Sequence, residues 1–174
     1  YTDIPLPPDP PQKTEHCGTC RACLDICPTQ AFTAPWLLDA RKCISYLTIE
    51  YDGVIPEPLR KPMGNRIYGC DDCQIACPWN KFAQQTAEPD FSPRHALDAI
   101  SLIECFSWDE ATFLSKTEGS AIRRIGFECW RRNVAVALGN APSSPDISAA
   151  LAAALDDPSS LVREHVRWAL AQHS

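Results

Sequence analysis

The sequence lacks any run of eighteen apolar residues, which excludes a helical membrane span. No secretory leader is visible in these residues, which open on Tyr1 rather than Met and run straight into prolines, and none is expected. That opening marks the chain, as an expectation, as a fragment with further sequence upstream. Basic charge is also short: 16 Lys and Arg stand against 22 Asp and Glu, a formal −6. Indiscriminate nucleic-acid binding is therefore disfavoured, and only a segregated basic face remains open. Glycine is sparse, at seven, whereas proline reaches sixteen and cysteine ten in 174 residues. A chain of this length buries a core without disulfide staples, so ten cysteines require a different explanation.

Composition divides the chain into three expected parts. Residues 1–16 hold Pro5, Pro7, Pro8, Pro10 and Pro11 and read as an extended connector. Residues 17–90 are dense in cysteine and poor in long apolar runs. Residues 91–174 turn to Ala, Leu, Ile and Trp at helical spacing. There Ser107 with Glu110 reads as a capping box opening a helix over 108–116. Ile122, Ile125, Cys129, Trp130, Val134, Ala137 and Leu138 form a second stripe, with Gly139 as its expected C-cap. A third stripe runs from Ile147 to Leu155. Asp157-Pro158 is expected to open a fourth helix, from Leu161 to Leu170. Arg131, Ala137 and Leu138 recur 32 positions on as Arg163, Ala169 and Leu170, a period that fits either helical-hairpin repeats or an ordinary bundle.

Cys17-x2-Cys20-x2-Cys23-x3-Cys27-Pro28 is the most specific signal. Three thiolates at this spacing wrap one iron–sulfur cube, and the fourth, before proline, turns toward a neighbouring cluster. Cys70-x2-Cys73-x3-Cys77-Pro78 repeats the pattern one cysteine short, and Cys43 between the motifs is the natural eighth ligand. The crossover rule assigns Cys17, Cys20, Cys23 and Cys77 to one 4Fe–4S cluster and Cys27, Cys43, Cys70 and Cys73 to the other. Disulfides fit poorly because the close spacing offers competing pairings. Zinc would use paired Cys-x2-Cys elements rather than an unbroken run. Cys105 and Cys129 fall on apolar helical faces and read as core thiols.

Arg123, Arg124, Arg131, Arg132, Arg163 and Arg167 cluster at helical spacing. They read either as a nucleic-acid face or as a solvated face paired with Glu128 and Glu164. Trp130 and Trp168 read as packing residues. His16 is expected to order the first cysteine loop. Asp71 and Asp72 would either lower a cluster's potential or serve a turn.

These residues also carry a family resemblance. Glu15-His16-Cys17-Gly18 with the four-cysteine run, the Asp39–Glu50 block around Cys43, Gly64 through Gln74, and Cys77-Pro78-Trp79-Asn80 resemble the epoxyqueuosine reductase family. The helical end resembles that family's HEAT-like tail. The fold class expected is therefore α-rich: a bacterial-ferredoxin-like double four-iron cluster domain followed by an α-helical HEAT-like repeat domain.

The resemblance implies a cytoplasmic, cobalamin-dependent oxidoreductase that removes the epoxide oxygen of epoxyqueuosine at the tRNA wobble position, with electrons passing through the clusters to cobalamin. It further implies that the main cobalamin-binding half and an acidic proton donor precede the connector, leaving the isolated chain inactive. Ser45, Cys70 and Asp71 would contact cobalamin, and the six arginines would contact the tRNA anticodon stem-loop. A flavodoxin or ferredoxin would donate electrons to a monomer. Each cluster would add about −2 when oxidised, taking the holo-protein toward about −10. Two rivals are a non-catalytic ferredoxin-type carrier with a helical interaction domain, and a reductive dehalogenase. The split second motif speaks against the first, and the arginine-bearing helical end against the second.

Overall fold

A computed structural model describes residues 3–11 and 16–173. Residues 3–11, the described part of the connector, form no helix or strand and are exposed. The rest of that segment, residues 1–2 and 12–15, lies outside the described residues, as does Glu15 of the family-like block.

The two cysteine motifs build matching short elements. Helix α1 (Ala22–Ile26) rises within the first motif and α4 (Asp72–Ile75) within the second, and the two pack together. Such short helices have little intrinsic stability. Proline after Cys27 and after Cys77 ends each motif, the first leading into a β-hairpin and the second into a 3-10 turn over Pro78–Phe82. The hairpin pairs β1 (Phe32–Ala34) antiparallel with β2 (Leu37–Leu38). Between the motifs lie α2 (Ile44–Ile49), for which Cys43 is the N-cap, and α3 (Glu57–Met63), ended by Gly64 at φ +60°.

The second half comprises α5 (Leu102–Ser107), α6 (Glu110–Lys116), a 3-10 turn over Ala121–Ile125, α7 (Gly126–Asn140), α8 (Pro145–Ala152) and α9 (Ser160–Ala171). Its core is aromatic. Trp108 stacks on Trp130 with centroids 5.3 Å apart, Phe113 tilts against Trp130 at 5.7 Å, and Trp130 Nε1 donates to the Cys105 carbonyl at 3.1 Å. Cys105 and Cys129 are buried here, as their spacing predicts. Burial pushes the Cys105 thiol up to about 11, which keeps it neutral and inert.

Several expected caps shift. Ser107 does not open α6; its hydroxyl donates to the Glu104 carbonyl at 2.8 Å, and Asp109 caps instead, accepting from Thr112 N at 2.7 Å. Two nearby residues of capping type competed, and the carboxylate prevails. Asp157 likewise yields the cap of α9 to Ser159, whose hydroxyl accepts from Val162 N, while Asp157 accepts from Ser159 N. Gly139 is not a C-cap. It lies inside α7, where an added Cβ would stand 2.7 Å from Trp168 and 2.8 Å from the Ala169 Cα, so the glycine permits the close approach of α9.

Helix α7 is buried on two sides. One side carries Trp130, Val134 and Leu138 into the helical core, and the other places Val136 in a second core with Ile44, Leu47, Ile55 and Met63. Buried Arg60 of α3 adds a further tie, donating to the Ile55 carbonyl at 2.9 Å and pairing with Glu164 of α9 at 3.1 Å. The segment between the cysteine motifs is thus packed directly onto the helical half. No helix among the described residues is long and apolar enough to cross a membrane.

Candidate iron–sulfur centres and adjoining cleft

Cys27, Cys43, Cys70 and Cys73 line one small, nearly apolar void of about 60 Å³, together with Pro28, Thr29 and Ile44. Residues far apart in sequence meet here because α1 packs on α4 while α2 starts at Cys43. The Ala31 N–H donates to Cys27 Sγ at 3.3 Å, the kind of hydrogen bond that tunes a ligating sulfur. Burial pushes the Cys70 and Cys73 thiols up, and for Cys73 the proximity of Cys70 and Cys43 adds to it. Four cysteine sulfurs around one apolar space suit a polycationic iron core, which would take them up as thiolates. Among the described residues no three Cys, His, Asp or Glu side chains converge at the spacing of a single metal ion. Asp72 also lines the space but is engaged by Arg66, so the donors left for a metal group are the four sulfurs, a set that fits a four-iron cube.

The other four cysteines are less tightly gathered. Cys17, Cys20 and Cys23 line a more open depression with Leu24, Phe32 and Trp36, and Gly18 at φ +54° turns the loop between Cys17 and Cys20. Cys77 does not line that depression. Its neighbourhood nevertheless reaches it, because the His16 ring meets the Trp79 ring edge-on at 5.4 Å. His16 thus ties the start of the first motif to the end of the second, next to the two cysteines that the crossover rule joins.

A cleft of about 420 Å³ adjoins the four-cysteine void, lined by Ser45, Ile49, Arg66, Tyr68, Gly69, Cys70, Asp71 and Asp72. All three residues expected at a cobalamin contact, Ser45, Cys70 and Asp71, line it. Cys70 lines both the cleft and the void. Gly69 at φ +75° makes the turn that lets the chain pass between them; an added Cβ would meet Ile49 and Ser45 at ordinary contact distance, so the turn rather than crowding requires glycine. The two adjacent acids are handled separately. Asp72 is paired with Arg66 at 2.5 Å, and Asp71 accepts from Gln74 Nε2 at 2.6 Å. Arg66 therefore offsets one of the two negative charges that the sequence places beside the cluster.

The arginines do not form one face. Arg132 is fully buried, its guanidinium bonded to backbone carbonyls of residues 47–53, and burial pulls its pKa below the usual arginine value. It cannot reach a nucleic acid, which corrects the expectation for this residue. Arg131 is mostly covered: it pairs with Asp157 at 3.1 Å and lies over the Phe106 and Phe127 rings at 4.7 and 5.7 Å. Arg163 is half-buried and donates to the carbonyls of Asp157 and Pro158. Exposed positions remain at Arg123, Arg124 and Arg167, with Arg124 paired to Glu50 at 2.6 Å. Helical spacing placed Arg131, Arg132, Arg163 and Arg167 on helices α7 and α9, but Arg123 and Arg124 sit in the 3-10 turn before Gly126, at φ +76°, so the stripe expected from Ile122 is broken there and Arg124 shares no face with Arg131 and Arg132.

Comparison with known proteins agrees with the cysteine geometry. Residues 16–80 match the 4Fe–4S double cluster binding domain family. Over 99% of its length the chain is 66% identical to an epoxyqueuosine reductase of Xanthomonas campestris pv. campestris, covering 48% of that protein. Over 98% it is 59% identical to an epoxyqueuosine reductase of Escherichia coli K12, covering 44%. Among solved structures, an epoxyqueuosine reductase crystallised with a tRNA-Tyr epoxyqueuosine-modified stem loop aligns at TM-score 0.87 and 32% identity, across 98% of this chain and 45% of that one. The Streptococcus thermophilus epoxyqueuosine reductase aligns at 0.76 and 28% identity, across 97% and 44%. The chain spans about half the length of the relatives it matches.

Proposed function

The chain belongs to the epoxyqueuosine reductase family, and from that premise we propose that it is the electron-relay and tRNA-docking part of an enzyme that deoxygenates epoxyqueuosine at the tRNA wobble position. When bound, two 4Fe–4S clusters supply single electrons and cobalamin supplies a strongly reducing cobalt centre. In this reading Cys17, Cys20, Cys23 and Cys77 hold one cluster, and Cys27, Cys43, Cys70 and Cys73 the other. Ser45, Cys70 and Asp71 form one wall of the cobalamin site.

The observation that carries the reading is the double role of Cys70, which lines both the four-cysteine void and the adjoining cleft. A thiolate shared in this way leaves almost no distance between the relay and the site it serves. Ile49 and Tyr68 give the cleft an apolar margin that helps exclude water from a strongly reducing site. The wobble base must leave its stack to enter. Exposed Arg123, Arg124 and Arg167, together with half-buried Arg163, are the candidate contacts for the phosphates of the stem-loop. A flavodoxin- or ferredoxin-type donor in the cytosol would refill the clusters of a monomeric enzyme.

The test is full-length protein assayed with cobalamin and a strong reductant on epoxyqueuosine-containing tRNA. Loss of the epoxide oxygen is expected, and its absence in a protein carrying both clusters would favour a plain electron carrier. Residues 1–174 alone are expected to be inactive.

A further inference from the structure

Arg132 and Asn133, adjacent on α7, are both fully buried. Among the described residues Arg132 has no carboxylate at ion-pair distance. A buried guanidinium is costly unless its donors are satisfied, and here each of its three nitrogens has a partner. Nη1 donates to the carbonyls of Tyr51 at 2.7 Å and Gly53 at 2.9 Å. Nη2 donates to the Leu47 carbonyl at 2.9 Å and to Asn133 Oδ1 at 3.0 Å, and Nε to the same Oδ1 at 3.1 Å. Asn133, oriented by these two bonds, donates through Nδ2 to the carbonyls of Thr48 and Ile67, both at 2.9 Å.

The acceptors are not scattered. Leu47 and Thr48 belong to α2, whose N-cap is Cys43, and Ile67 lies three residues before Cys70. Thr48 joins the two segments. Its buried hydroxyl donates to the Ile44 carbonyl at 2.7 Å and accepts the Gly69 N–H at 2.9 Å. The helix that starts at Cys43 and the turn that delivers Cys70 are therefore bonded to each other at Thr48 and held from α7 through Asn133.

We propose that Asn133, oriented by Arg132, and Thr48 are positioning residues that fix the Cys43 and Cys70 thiolates relative to one another and so set the properties of the cluster they share. The proposal rests on the ligand reading given above. A fully satisfied buried network is rigid, whereas a partly satisfied one is not. Groups that hydrogen-bond around a ligand govern its orientation, and hydrogen bonding and solvent access govern a cluster's potential.

The experiment uses full-length, reconstituted protein and two variants. Thr48→Val keeps the branched shape and removes the acceptor for Gly69 N–H; Asn133→Ala removes the bonds from α7 to the Thr48 and Ile67 carbonyls. Each is followed by an EPR-monitored redox titration and by the rate of iron release to a chelator. The expected result is that one cluster shifts in potential and releases iron about tenfold faster, the scale of a single hydrogen bond. The other cluster should be unchanged, and Thr48→Val should retain wild-type helical circular dichroism. Wild-type behaviour of both clusters in Thr48→Val overturns the proposal, as does an equal change in both clusters, which general loosening would give. A wild-type protein holding fewer than two clusters would overturn the ligand reading itself and the proposal with it, so the two failures are distinguishable.

Discussion

His165 Nε2 accepts the backbone N–H of Ile55 at 3.1 Å, so the last helix of the chain is bonded to the loop between the two cysteine motifs. The other ring nitrogen lies 2.7 Å from the Leu161 carbonyl, which places the proton on Nδ1 and leaves Nε2 as the acceptor. The imidazole is wholly buried, and burial lowers its pKa from 6.5 to about 4.

That depression predicts acid sensitivity. Between pH 6.5 and pH 4 the unfolded chain binds a proton at this site that the folded chain does not, so stability is present above the unfolded value and is lost as pH falls. The full effect is on the order of 3 kcal/mol by pH 4. Urea unfolding midpoints measured from pH 7 to pH 5 should decline, and the decline should be shallower in His165→Gln. Parallel curves for the two proteins would assign the acid sensitivity elsewhere.

Iron stoichiometry should separate the ten cysteines into two classes. Cys43→Ala is expected to lower iron from about eight to about four per chain after anaerobic reconstitution. Cys105→Ala should leave iron unchanged while costing about 1–2 kcal/mol of stability through a small cavity beside Trp130. Retention of full iron by Cys43→Ala would remove the outlying cysteine from the ligand set.

The arginines should divide likewise. Gln at Arg123, Arg124 or Arg167 should weaken tRNA binding and reduce the slope of log affinity against log salt by about one for each phosphate no longer neutralised, with the melting temperature unchanged. Arg132→Gln should instead lower the melting temperature, because it leaves the carbonyls of Leu47, Tyr51 and Gly53 without their donor. Salt titrations of tRNA affinity together with thermal melts check both halves of this prediction.

Gly139→Ala tests the approach of α7 and α9. Alanine is the better helix former by about 1 kcal/mol, but its methyl would stand within 3 Å of a backbone atom and of Trp168. Overpacking of this kind costs about 1–3 kcal/mol, so a net loss of a few degrees in melting temperature is expected.

How much of this was legible in the sequence follows from what each pattern encodes. Cysteine spacing is itself a coordination geometry, so seven candidate ligands could be picked out from the two motifs, and Cys43 as the eighth from the number of thiolates two clusters need. Cys105 and Cys129 were readable as core because an apolar stripe surrounds them. Arg132 and Asn133 were not. A helix stripe reports one buried side, and α7 is buried on two, so Arg132, opposite the stripe, reads as part of an exposed face. The signal that could have found them is local: Asn beside Arg directly before the unbroken apolar run Val134 to Leu138. Caps failed by two residues at α6 and α9 because several residues of capping type adjoin, and only the packed structure chooses among them.

Helix α7, walled by one core on each side, makes the boundary near residue 90 a division of composition rather than of folding. Cutting the chain there would strip Val136, Arg132 and Asn133 from the segment between the cysteine motifs and leave its apolar floor open to water. The cluster-bearing part is thus not a transferable cassette. Grafted onto another scaffold it would need a replacement for α7 itself.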